Sequence, residues 1–87
     1  MPDLPEKPLL SRLFRLQYEK AQHAYVLLYP EGMVKLNDSA AEILRRCNGD
    51  RTIAQIVADL EQSFATTGLQ NDVESFLQAA QERGWIK

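Results

Sequence analysis

The chain has one cysteine, Cys47, and one histidine, His23, among its 87 residues. A lone thiol cannot close an intramolecular disulfide. One thiol and one imidazole also fall short of the three or four ligands that a metal centre uses, so no metal is expected. Neither the thiol nor any hydroxyl has an obvious base and orienting partner in the sequence, so no catalytic residue is expected. Glycine is nearly as scarce. Gly32, Gly49, Gly68 and Gly84 stand alone, and no phosphate loop, dinucleotide fingerprint or bound cofactor follows from them. No apolar run is long enough to span a membrane. The segment Met1–Glu6 lacks a basic-then-apolar leader pattern, and a cytoplasmic location is expected. Excess positive charge is missing too. The net charge is −2; residues 1–51 carry eight Lys/Arg against seven Asp/Glu, and residues 52–87 carry two against five. The C-terminal part would repel phosphate, so nucleic acid is not the expected partner.

The length fits one domain with a thin core. Three of the four prolines, Pro2, Pro5 and Pro8, fall in residues 1–11. They predict a loose arm ahead of a single folded domain at 12–87. Arg12–Glu19 alternates, with Phe14, Leu16 and Tyr18 on one face, as a half-buried strand does. Ala24–Tyr29 is apolar on both faces and reads as a central or covered strand. Pro30-Glu31-Gly32 predicts a three-residue hairpin turn with a bulge, and Met33–Leu36 a short third strand.

From there the apolar period lengthens to that of a helix. Ala40, Ile43, Leu44 and Cys47 share one face, opened either by Asn37 as N-cap or by a Ser39/Glu42 capping box. Arg45 and Arg46 suit the last turn, and Asn48-Gly49 stops it. Thr52 and Gln55 make another box ahead of the stripe Ile53, Ile56, Val57, Leu60 and Phe64. Asn71 or Asp72 is expected to cap a third helix with Val73, Phe76, Leu77 and Ala80 on one face; Gly84 ends it, and Trp85-Ile86 folds back on the core. The fold class is therefore α+β: a three-stranded antiparallel meander followed by three helices, resembling a winged helix-turn-helix.

That likeness raises a winged-helix DNA-binding regulator as an alternative. The helix after the turn, however, has no Lys or Arg and carries Asp59 and Glu61, where a groove reader needs cations. A free sheet edge points elsewhere. Met33–Leu36 carries only Lys35 as protection against pairing, and an unpaired strand edge accepts a peptide as an added strand. Val34→Pro is expected to remove one edge N–H and weaken such binding while sparing the fold. Self-association through the same edge, as a monomer–homodimer equilibrium or a structural subunit, is the remaining alternative.

The run Leu28-Tyr29-Pro30-Glu31-Gly32-Met33-Val34-Lys35-Leu36-Asn37, then Ser39-Ala40, Ile43-Leu44 and Cys47-Asn48-Gly49, resembles the PqqD family. So do the upstream Arg15-Leu16-Gln17, the pairs Asp72-Val73 and Phe76-Leu77, and the segment Gly84-Trp85-Ile86. Asn48 departs from the Asp expected before the glycine, though Asn also tolerates a left-handed helix end. The resemblance covers about residues 12–87. It implies a winged-helix-like recognition module, a peptide chaperone of pyrroloquinoline quinone (PQQ) biosynthesis. Such a module binds a ribosomally made precursor peptide and presents it to a radical S-adenosylmethionine (SAM) enzyme, which cross-links a glutamate and a tyrosine of that peptide. It also implies a peptide site beside the third strand and third helix, which on this chain means Met33, Val34, Lys35 and Leu36 with Val73, Phe76, Leu77 and Ala80.

Overall fold

The computed structural model describes residues 3–87. Three antiparallel strands, β1 (Arg15–Glu19), β2 (Ala24–Tyr29) and β3 (Gly32–Lys35), form a sheet in sequence order. Three helices follow: α1 (Asp38–Leu44), α2 (Ile53–Ser63) and α3 (Gln70–Glu82).

The register explains the two apolar faces of β2. Leu16 pairs with Leu27 and Leu27 with Val34, so these three side chains share the inner face with Tyr25 and Leu36. Leu27 is fully buried against Leu36, Ile56, Leu77 and Trp85 in the main core. Val26, on the outer face between Gln17 and Lys35, is fully buried as well. Tyr29 pairs with Gly32, which leaves Pro30-Glu31 as a two-residue turn, one residue shorter than the sequence suggests. Gly32 takes φ 157°, where an L side chain is strained. The β1–β2 turn is a single 3-10 turn, Lys20–Gln22, closed by His23 in the left-handed region at φ 52°.

Asn37, not Ser39, caps α1: its side chain accepts from the Ala40 N–H at 2.8 Å. The Thr52/Gln55 box is present in both directions, at 2.9 and 3.1 Å. The third helix differs from expectation. It begins at Gln70, ahead of Asn71 and Asp72, and no side chain of its own caps it. Glu61 of α2 accepts from the Leu69 N–H at 3.0 Å instead, so the cap is supplied across the α2–α3 contact.

The expected loose arm does not hold for Pro8–Ser11. Its first two residues, Met1 and Pro2, lie outside the described residues. Leu9 and Lys87 exchange N–H···O bonds of 3.0 and 2.9 Å; Leu10 donates to Cys47, Ser11 to Trp85, and Gly49 to Pro8. Pro8 is fully buried. The proline forbids a helix but not an extended strand, and it sits where its missing N–H is not needed.

Candidate functional site: the free edge of β3 and its groove

The Leu36 N–H donates to the Tyr25 carbonyl at 3.0 Å. Hydrogen-bonded pairs alternate along an antiparallel ladder. Gly32, Val34 and Leu36 therefore turn their backbone groups toward β2, and Met33 and Lys35 turn theirs to the free edge. This overturns the expected role of the Val34 amide, which belongs to the sheet and not to a guest.

Side chains follow the opposite rule. Val34 is half-buried on the inner face, and Met33 and Lys35 are exposed on the outer one. Val34 borders a groove of about 550 Å³ that also touches Phe14, Tyr29, Glu31, Arg83 and Trp85. The far wall is built by the end of α3. Gly84 adopts φ 77°, Trp85 donates to the Ala80 carbonyl at 2.9 Å, and Gly84 donates to that of Gln81 at 3.0 Å. This is a Schellman stop, and it turns Trp85 back under the helix. The indole then lies 6.5 Å from the Phe76 ring and 5.4 Å from the Arg83 guanidinium. Across the groove, the Phe14 and Tyr29 rings meet tilted at 43° with centroids 5.6 Å apart.

Four of the eight expected peptide-facing residues are not available. Leu36, Val73, Leu77 and Ala80 are exposed by 5%, 2%, 0% and 1%. The helical period that made them look like a binding face is the period of a core stripe. Val34 and Phe76 are half-buried and keep apolar surface open, and Met33 and Lys35 keep their backbone groups at the free edge. Phe14, Tyr29, Arg83 and Trp85 were not expected there. A signal for two of them was present, since Phe14 and Tyr29 alternate in phase with the inner face.

Away from the groove, Arg46 organises the charge between α1 and α2. Its guanidinium bonds the Glu42 carboxylate at 2.9 Å, the Glu42 carbonyl at 2.9 Å and the Asp59 carboxylate, tying α1 to α2. Hydrogen bonding from Arg46 holds the carboxyls of Glu42 and Asp59 below their ordinary range. Cys47 is buried, its thiol pushed up to about 11 by desolvation, which removes it as a nucleophile at neutral pH.

The sequence profile of the family described as coenzyme PQQ synthesis protein D (PqqD) matches residues 24–86. The chain belongs to the PqqD family. It is 56% identical over 85 residues to the PqqA binding protein of Azotobacter vinelandii, covering 97% of this chain and 92% of that one. It is 50% identical over 88 residues to the PqqA binding protein of Pseudomonas aeruginosa, covering 100% and 96%. The fold is similar to the solution NMR structure of the PqqD truncation of Methylobacterium extorquens PqqCD, with a TM-score of 0.77 and 27% identity over 92% of this chain and 87% of that one. That protein is described as a functional, stand-alone recognition element for ribosomally synthesized and post-translationally modified peptides. The residues matched to the PqqD family span β2, β3 and all three helices.

Proposed function

We propose that this chain is a non-catalytic carrier of the PqqA precursor peptide, which adds as a fourth strand beside β3. The names of its relatives supply the guest. The observation that carries the binding mode is the pair of outward-facing backbone units, Met33 and Lys35, directly beside an apolar groove. The guest backbone pairs with these two residues. Its inward side chains pack on Val34, Phe76, Trp85, Phe14 and Tyr29. Two N–H···O pairs contribute about 0.5–1.5 kcal/mol per bond, and burial of one or two large apolar side chains about 1.5–3 kcal/mol each. Together they support micromolar binding.

In this reading residues 12–87 are the recognition domain, extended at its N-terminal side by Pro8–Ser11. The carrier works in the cytoplasm, as a monomer, and hands the peptide to the radical SAM enzyme of the pathway. It raises the local peptide concentration there and has no turnover of its own. Pairing of two copies through β3 would cover the guest site. The DNA-binding alternative gains no support, because Asp59 of α2 is spent on Arg46 and no cation replaces it on that helix.

Amide shift mapping with the PqqA peptide tests this reading. Changes should centre on Met33–Lys35, Phe76 and Trp85. Changes confined to the exposed side of α2 would refute it.

A further inference from the structure

The wall formed by β3 and α3 does not end at Leu36. Where the chain leaves β3 and enters α1, a second cavity of about 420 Å³ opens between the three helices. Ile43, Leu60, Leu69 and Val73 form its apolar lining, and Phe64 stands on its rim, 54% exposed. Asp38 and Asp72 stand at the same mouth. Glu42 also lines it, but its charge is answered by Arg45 and Arg46. Neither Asp38 nor Asp72 makes an ion pair among the described residues. No Lys or Arg lines the cavity.

Each aspartate lies in the first turn of its helix, where the helix dipole favours a carboxylate. The dipole explains why each helix tolerates its own aspartate. It does not explain why both open on one apolar hollow, nor why an aromatic ring stays exposed at its edge.

We propose that this cavity seats an apolar side chain of the guest peptide, and that a Lys or Arg next to it in the peptide is held by Asp38 and Asp72. The inference rests on the peptide-carrier reading and adds a specificity pocket to it. The geometry sets a spacing. Arg83, beside the first groove, and Asp72, beside the second, are eleven residues apart on α3, about 16 Å at the helical rise. An extended guest covers that in about five residues. Both anchors must point inward, so their separation is even, about four or six residues.

The test is calorimetry with the PqqA peptide at low and moderate salt, using the wild type, the double variant Asp38→Asn/Asp72→Asn, Phe64→Ala, and Glu82→Gln as a control remote from the cavity. The double variant should bind about tenfold more weakly at low salt and show a flatter salt dependence. Phe64→Ala should weaken binding at both salts. Peptides with each Lys or Arg replaced singly by Gln should include one that weakens binding to the wild type and not to the double variant, a coupling that helix stabilisation alone would not produce. Unchanged affinity and salt dependence in the double variant, with the wild type still binding PqqA, would overturn the pocket and leave the carrier intact. A wild type that fails to bind PqqA would overturn both.

Discussion

Proline substitution at two neighbouring residues of β3 should have opposite consequences. The Lys35 N–H faces the free edge and the Val34 N–H faces β2, by the alternation fixed at the Leu36–Tyr25 bond. Lys35→Pro keeps that bond. Its effect on the preceding residue is tolerated, because Val34 is already extended. What it removes is one donor to the guest, leaving a guest carbonyl unpaired at a cost of about 1–3 kcal/mol. The expected loss is roughly 5- to 150-fold in Kd relative to Lys35→Ala, which controls for the ammonium. Val34→Pro instead strands the Leu27 carbonyl inside the sheet. A similar free-energy loss then falls on folding, and for a domain of this size it lowers Tm by about 5–20 °C. Calorimetry with the PqqA peptide and thermal melts followed by circular dichroism separate the two. Lys35→Pro binding as tightly as Lys35→Ala, or Val34→Pro melting like the wild type, would refute the assigned edge.

Three further outcomes follow from the packing. Glu42 and Asp59 have lowered folded-state pKa values through Arg46, so the stability they contribute is present above their ordinary values of 4.5 and 3.8 and is lost as pH falls through the lowered ones; Arg46→Met should flatten this acid dependence of the urea midpoint. Cys47, buried and raised to about 11, should react with a disulfide reagent only on unfolding, and rapid labelling of the native protein would contradict its burial. Deleting residues 1–11 removes the bonds of Pro8–Ser11 to Gly49, Cys47, Trp85 and Lys87, a loss of about 3 kcal/mol or more; a melt within a few degrees of the full chain would show that the segment is not structural.

The elements whose signals are local were legible in the sequence. The alternation of β1, the double-sided apolarity of β2, and the Thr52/Gln55 box depend on residues within a few positions of one another; β2 and the box formed where their patterns lay, and β1 formed over Arg15–Glu19, its expected first residues Arg12–Phe14 going into a turn closed by the Phe14 N–H on the Ser11 carbonyl. Features supplied from a distance were not. The cap of α3 comes from Glu61, eight residues before the amide it accepts from, and Pro8–Ser11 finds its partners at 47–49 and 85–87. The candidate site divides in the same way. Its backbone edge followed from strand order, but a stripe such as Val73, Leu77 and Ala80 has the same period whether it meets the core or a guest. Only packing distinguishes the two, and packing turned this stripe inward.

The reciprocal bonds between Leu9 and Lys87 bring together two positions far apart in sequence, Lys87 lying two residues after Trp85 of the groove wall. Upstream of Leu9 the chain stays on the domain, with Gln81 of α3 donating to the Asp3 carbonyl at 3.1 Å, so a segment tethered before Asp3 or after Lys87 would leave near the C-terminal end of α3 on both sides. A covalent partner attached on either side would start within reach of the same end of the bound peptide, so the order of fusion would matter less than the linker's length. In a fold with its first and last strands at opposite poles, that choice would decide which end of the guest the partner meets.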